Sequence, residues 1–247
     1  MSIVYTYDGS FDGLLTCIYD YYYSEKKAED IKVKDDFFPD LLQEEVFIET
    51  SEKKSSKVFN AIKDKIGSAA LKDIFTVFLS EEPGMEKLIL EFVKLGFKLG
   101  RDVHKHLHNE LVLEVAKCCH RVNLESHRFC GFVRFKCVGP ELYYSSIEPD
   151  HNILTLIAPH FAERFSSQKW IIHDVKRGLA VMYNRESWVL APMDSTAAQQ
   201  FLSAPDGIYE ELWKTYYSSV TIMERENPRL RRRMMPQRYW KHLPEVK

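Results

Sequence analysis

The sequence has no uninterrupted apolar run of about 18 residues, so no segment is expected to span a membrane. No secretory leader is expected either, because Asp8 and Asp12 fall where the apolar part of a leader would lie. In a chain of 247 residues, an odd number of irregularly spaced cysteines favours reduced thiols over a disulfide framework. The sequence therefore predicts a soluble, cytoplasmic protein. The five cysteines are Cys17, Cys118, Cys119, Cys130 and Cys137.

Familiar catalytic and metal-binding motifs are also missing. The chain has no Gly-x-Ser-x-Gly elbow, no Walker loop and no Gly-x-Gly-x-x-Gly turn. In HKHLH, His104 and His108 would share a helical face, but Lys105 stands where a zinc protease has its glutamate. The Cys- and His-containing stretch 118–137 lacks two paired arms for zinc and a cysteine triad for an iron–sulfur cluster. We predict no metal and no cofactor, and the sequence leans against catalysis without excluding it.

Charge is unevenly distributed along a chain whose formal net charge is only −2. Residues 224–247 contain eight Lys or Arg and three Glu, a net of +5, which leaves −7 on the first 223 residues. Contact with nucleic acid would therefore depend on a local basic patch rather than on the average field of the protein. The alternative is a basic terminus that only offsets an acidic body.

The apolar pattern predicts an α+β fold. The opening IVYTY is typical of a strand, FDGLLTCIYDYYY of a helix, and EEVFIET of a second strand near the first, with a charged surface loop over 24–36. From Ser55 to about Leu124 the spacing is helical and predicts a small bundle. RFCGFVRFK then predicts a strand, followed by a turn at Gly139-Pro140, a short helix in APHFAERFSSQ and further strands up to Ala191. An antiparallel sheet with packed helices accommodates this order.

We predict a single compact unit over 1–247, loosely divided into a mostly helical half, 1–125, and a sheet-containing half, 126–247, with a helical C-terminal part. IYEELWKTYYSSVTIM predicts a helix whose Trp213, Tyr216 and Tyr217 are more typical of a core or an interface than of stacking platforms. NPRLRRRMM predicts another helix, with Asn227 as its cap and Pro228 at its first position.

Two segments of the second half favour nucleic-acid binding. In the strand predicted for RFCGFVRFK, alternation places four side chains on one face: Arg128, Phe132, Arg134 and Lys136. Cations beside a ring can hold a phosphate backbone while a base stacks. His160 and Arg164 share a face of the next helix. The alternative for RFCGFVRFK is an ordinary strand with a charged outer face. Arg177, close to Asp174 in the sequence, could hold a phosphate, but the alternative there is a purely structural ion pair.

The other segment is the C-terminal RRRMMPQRYWKHLPE. Methionines and aromatic rings are not expected on a dangling tail, so we expect this segment to be docked. Docking would hold its guanidinium groups at fixed positions, as phosphate recognition requires. A helix beginning at Pro228 would place Arg229, Arg232 and Arg233 on one face, and Pro236 would end it. The residues expected to contact DNA are Arg229, Arg232, Arg233, Arg238, Tyr239, Trp240 and Lys241.

Six segments resemble a bacterial family described as probable DNA metabolism proteins. They are YDGSFDGLL, HRFCGFVRF, PDHNILTLIAPHFAERF, WIIHD, ELWKTYY and NPRLRRRMMPQRYWKHLPE, in order over nearly the whole chain. The closing Met-Pro-x-Arg-Tyr-Trp-x-x-Leu-Pro-Glu pattern is the most specific, and the charged SVTIMERENPRL before it departs from the more apolar entry expected. In that family the protein is typically encoded beside a radical SAM protein assigned to DNA modification or repair. In some bacteria the related region is fused to a uracil-DNA-glycosylase-like domain.

The resemblance implies a role in DNA repair or modification as the partner of that radical SAM enzyme, and it implies no particular reaction. Such an enzyme carries its own cluster and cofactor, so this chain would supply substrate binding and a docking surface. We weigh three hypotheses. The first is a DNA-binding accessory protein, and the second is an enzyme acting on a damaged or modified nucleotide through His160, His173 or Asp174. The third is a protein–protein scaffold without nucleic-acid contact.

Overall fold

The computed structural model describes residues 2–38, 42–194, 198–199, 201, 215 and 228–244. The chain forms two compact units, Met1–Asn123 and Leu124–Lys247. The helix predicted for 208–223 lies outside the described residues apart from Thr215, and so does the predicted cap Asn227.

The first unit contains a three-stranded parallel sheet. Its strands β1 (Ser2–Tyr7), β2 (Asp30–Val33) and β3 (Gln43–Phe47) lie in the order β2-β1-β3. The pairing of β1 with the EEVFIET segment confirms that the two predicted strands are neighbours. The loop predicted for 24–36 is wrong in part, because β2 lies within it. Ile31 of β2 is only 1% exposed, so one buried side chain and the backbone pairing with β1 outweigh the charged neighbours.

Helices make up the rest of this unit. Ser10 caps the first one, since its hydroxyl accepts a hydrogen bond from the Gly13 backbone N–H at 2.9 Å. The helical stretch predicted from Ser55 to about Leu124 is confirmed, although its last helix continues further. None of the helices within the described ranges is long and apolar enough to cross a membrane. The helices are α1 (Phe11–Tyr23), α2 (Glu52–Lys65), α3 (Ser68–Phe78), α4 (Met85–Leu99) and α5 (Glu110–Phe132), with short 3-10 helices at Lys34–Asp36 and Gly100–Lys105.

Gly13 lies where α1 passes close to the side chains that follow β1 and β3. A Cβ at this position would collide with Asp8 Oδ1 and lie 2.8 Å from Thr50 Oγ1, while Thr50 donates a 2.8 Å hydrogen bond to the Asp8 carboxylate. We therefore expect Gly13→Ala to lower the free energy of unfolding by about 1–3 kcal/mol in urea titrations. Gly131→Ala is the control, because its Cβ would meet no atom within 4 Å. Equal losses in the two variants would contradict the close approach.

The second unit contains a five-stranded mixed sheet. Its strands follow chain order: β4 (Lys136–Gly139), β5 (Leu142–Ile147), β6 (Lys169–Asp174), β7 (Leu179–Tyr183) and β8 (Trp188–Pro192). The pairs β4–β5, β6–β7 and β7–β8 are antiparallel, whereas β5 and β6 are parallel. Helix α6 (Leu154–Arg164) makes the crossover that a parallel pair requires. The sheet expected to be antiparallel is therefore mixed.

The two faces of this sheet bury different groups. Trp170 is 1% exposed, and the centroids of the Phe135, Phe161 and Tyr183 rings lie 5.1–6.2 Å from its own. Ile171 points to the opposite face, because successive side chains of a strand alternate. That second apolar cluster consists of Tyr144, Ile171, Ala180, Met193 and Ala198.

The strand predicted for RFCGFVRFK is wrong. Helix α5 continues through Phe132, and β4 begins only at Lys136. Val122, Phe129 and Val133 are all buried, and together with the buried Glu125 they continue the helical spacing of α5. This longer period outweighs the local alternation of the segment, which also fits a strand.

Candidate nucleic-acid interface

One buried carboxylate docks the C-terminal segment within the second unit. Glu125 of α5 is 5% exposed and accepts hydrogen bonds from the backbone N–H groups of Asp150 and His151, at 2.8 and 2.9 Å, and from the Tyr239 hydroxyl. A buried carboxylate is tolerated when its oxygens are hydrogen-bonded in this way. Burial and the neighbouring Glu125 carboxylate raise the pKa of Tyr239, which keeps the hydroxyl protonated as a donor.

Aromatic packing completes the anchor. The Tyr239 ring is 2% exposed, and its centroid lies 4.9 Å from that of Phe129 and 6.0 Å from that of Phe132. Leu243 is also buried. Trp240, in the short 3-10 helix Gln237–His242, donates its indole N–H to the Met235 carbonyl at 3.0 Å. The expected docking of the segment is confirmed, and Phe132 and Tyr239 act in it as packing groups.

Ion pairs and a hydrogen bond attach the same segment to the end of β5 and to the residues that follow it. Arg238 lies 2.6 Å from the Asp150 carboxylate, and Lys241 pairs with Glu148. His242 places Nδ1 3.1 Å from Ser146 Oγ and Nε2 3.3 Å from the Glu148 carboxylate. Although partial burial opposes it, Lys241 and His242 hold the pKa of Glu148 below its usual value. Arg238 and Lys241, both predicted to contact DNA, are therefore each beside a carboxylate of the protein.

Three arginines form an exposed cationic surface on helix α7 (Pro228–Met234), which begins at the expected proline. Their spacing of three and four residues puts them on one side of the helix, as predicted. Within the described ranges none of the three has an ion-pair partner. Arg231 is not one of the three, because its guanidinium packs 5.3 Å from the centroid of the Trp240 ring. We call Arg229, Arg232 and Arg233 the C-terminal arginine face.

The four side chains expected on one strand face have separate roles. Arg128 and Phe132 lie in the last turns of α5, where Arg128 is half-buried. Arg134 donates to the Gly131 carbonyl at 2.6 Å and to the Val133 carbonyl at 3.3 Å, so it caps the C-terminus of α5. Lys136 opens β4, with its Nζ 5.9 Å from the Tyr144 ring centroid.

The two residues predicted on the next helix do lie on α6. His160 is half-buried and contacts Phe161 edge-on, with ring centroids 5.1 Å apart. Arg164 is exposed in the last turn, and its guanidinium lies 5.8 Å from the Phe165 ring centroid.

Three ionisable side chains of β6 and the following turn are buried: His173, Asp174 and Arg177. Asp174 is 0% exposed and lies 2.8 Å from the Arg177 guanidinium, which also donates to the Pro149 and Asp150 carbonyls at 3.1 and 2.7 Å. Burial raises the pKa of Asp174 in spite of Arg177. His173 is 1% exposed and shares a 2.7 Å hydrogen bond with the Tyr144 hydroxyl. Burial lowers the pKa of His173. These contacts agree with the structural alternative for Asp174 and Arg177.

The cysteine- and histidine-containing stretch shows no metal-binding geometry. Across the part of the chain that the structure describes, no three His, Cys, Asp or Glu side chains are placed to hold a metal ion. Cys118 and Cys119 are buried, and the Cys119 thiol donates to the Asp73 carbonyl at 3.5 Å. Burial raises the pKa of Cys119 to about 12, so this thiol stays protonated at neutral pH.

Residues 83–245 match the family model of the domain of unknown function DUF4130. The matched range covers more than half of the chain, including the mixed sheet and the docked C-terminal segment, so the chain is an α+β protein that belongs to the DUF4130 family. Searches of the curated proteins and of the solved structures found no match.

Proposed function

We propose that this protein is a DNA-binding accessory protein of a repair or modification system and that it works beside a radical SAM enzyme in the cytoplasm. The C-terminal arginine face carries the DNA part of the proposal. Its three exposed guanidinium groups project from a segment that Glu125 and Tyr239 anchor. Guanidinium forks match phosphate geometry, and a preorganised array loses less conformational freedom on binding than a mobile tail would.

The choice of a radical SAM enzyme as partner rests on the resemblance of the sequence segments. Such an enzyme brings its own cluster and cofactor. The role left to this chain is to hold the nucleic acid, the enzyme, or both. All five cysteines are free thiols, which suits a reducing compartment.

Salt-dependent binding to labelled duplex and single-stranded oligonucleotides tests the DNA part. If the arginine face contacts phosphates, the logarithm of the binding constant on duplex DNA should fall linearly with the logarithm of salt concentration. The slope should be about −0.9 for each phosphate neutralised. Binding that is negligible at low salt, or that does not change with salt, would rule out the proposal.

The two alternatives have less support. A scaffold that buries its terminal aromatic rings in a partner would need those rings to be available, but Tyr239 is buried and the Trp240 N–H is already bonded within the unit. An enzyme would need groups that a substrate can reach, but His173 and Asp174 are buried, which leaves only the half-buried His160 of the three residues considered. Turnover of lesion-containing DNA by the purified protein alone would favour the enzyme. Co-purification with the radical SAM enzyme that survives high salt would favour the scaffold.

A further inference from the structure

The C-terminal end of α1 presents an unusual run of aromatic rings. Residues 13–18 of this helix are buried, but the tyrosines that follow reach the surface. Tyr22 is 41% exposed and Tyr23 is 75% exposed. Exposed rings that lie together on a surface, unlike single ones, often mark a binding site.

Contacts within the first unit hold these rings in fixed orientations. The Tyr19 and Tyr23 rings are stacked, with centroids 4.4 Å apart and an interplanar angle of 27°. Tyr22 contacts Tyr21 edge-on at 5.5 Å and Phe97 of α4 edge-on at 5.8 Å. The rings therefore form a preformed platform, and little side-chain entropy remains to be lost on binding.

Lysines from α2, from α4 and from the loop that follows α1 lie beside these rings. Lys54 and Lys57 lie 5.7 and 5.5 Å from the centroid of the Tyr19 ring. Lys27 and Lys94 lie 5.8 and 5.1 Å from the centroid of the Tyr21 ring. Asp20 forms an ion pair with Lys54, and Glu91 forms one with Lys94, each at 2.7 Å. Within the described ranges Lys27 and Lys57 have no carboxylate partner, and both are exposed. We call Tyr19, Tyr21, Tyr22, Tyr23, Lys27, Lys54, Lys57 and Lys94 the tyrosine–lysine surface.

We propose that the tyrosine–lysine surface binds single-stranded nucleic acid. Exposed rings accept unpaired bases by stacking, while ammonium groups beside them contact the phosphates, and this pairing is sequence-tolerant. A duplex fits less well, because its bases are already stacked and paired. The proposal goes beyond the DNA contact of the arginine face, since it assigns a second, strand-selective surface to the first unit. Tyr19 to Lys57 also precede the DUF4130 match at 83–245.

The test compares Tyr22→Ala/Tyr23→Ala with wild type in the full chain, using a labelled oligothymidylate of about ten nucleotides, within the range one such site covers. We expect the double variant to bind about ten-fold more weakly. An oligomer with the same sugar–phosphate backbone and no bases should bind both proteins equally weakly. Phe38→Ala is the matched control: Phe38 is 86% exposed, but it follows the C-terminal end of β2, whereas α1 ends at the opposite edge of the parallel sheet. Its affinity should stay at the wild-type level.

Three outcomes would overturn the proposal: wild-type affinity in the tyrosine variant, equally tight binding of the base-free oligomer, or no oligothymidylate binding by the wild-type protein. Lys57→Gln is a second variant that does not touch the rings, and it should make the salt dependence shallower. The tyrosine variant can also be compared with its parent in a protein whose arginine face has been replaced. Oligothymidylate binding in this background separates the contributions of the two surfaces. A tyrosine effect that persists there supports the tyrosine–lysine surface even if the arginine face fails its own test.

Discussion

Replacing Arg229, Arg232 and Arg233 together by glutamine should weaken duplex DNA binding by about ten-fold or more at about 0.1 M salt. The plot of log binding constant against log salt should also become shallower by about two to three units, because each lost phosphate contact leaves its counterion on the DNA. The fold should be unaffected, since the three side chains are exposed. Fluorescence anisotropy over a salt series gives both numbers, and circular dichroism checks the fold.

A matched control separates a local array from total charge. Lys87, Lys117 and Lys169 are exposed lysines on α4, α5 and β6, and their triple glutamine variant removes the same charge without touching α7. We expect this control to bind nearly as well as wild type, with an unchanged salt slope. Equal losses in both triple variants would mean that only net charge matters, and the arginine face would then not be the binding site.

Asp174→Ala should lower the free energy of unfolding by about 3–5 kcal/mol, because it leaves the Arg177 guanidinium buried without its counter-charge. Arg177 has a side chain only 8% exposed, so water cannot replace the lost carboxylate. Replacing both partners, as Asp174→Leu/Arg177→Met, should cost less than the single change, since no buried charge then remains. Urea unfolding of Asp174→Leu, Arg177→Met and the double variant, as a double-mutant cycle, measures the coupling.

The control for this pair is an exposed ion pair of the same unit. Glu141 pairs with Arg185, and the Glu141 side chain is 69% exposed. Glu141→Ala should therefore cost less than about 1 kcal/mol, as exposed pairs generally do. If Asp174→Ala cost no more than Glu141→Ala, the buried pair would not have the structural role assigned to it.

The sequence predicts those elements whose period is strong and local. Strands β6 to β8 follow from short strand-like runs separated by turns, and α7 follows from a proline at its first position. Strand β2 has four residues and one fully buried side chain, so it leaves no recognisable pattern in the sequence. Backbone pairing with β1 forms it, and that pairing is visible only in the structure. RFCGFVRFK fits two periods, and only the packing of α5 decides between them.

The same distinction applies to the candidate interface. The arginine face is local, so spacing alone predicts it. Its anchor is not local, because 114 residues separate Glu125 from Tyr239 and nothing around Glu125 marks it as a hydrogen-bond acceptor. A glutamate interrupting the apolar stripe of α5, between Val122 and Phe129, is the one signal that could have been noticed. Arg134 as a helix cap was missed because the helix itself was expected to be a strand.

The Glu125 carboxylate connects three stretches of chain: α5, the turn at Asp150 and His151, and the C-terminal segment. Release of the segment would leave this acid partly unsatisfied in an apolar surrounding, so the turn and the segment should open together in a single cooperative step. The arginine face would then behave as a two-position element, either fully presented or fully withdrawn, and a partner that touched only the turn would alter the proposed DNA contact.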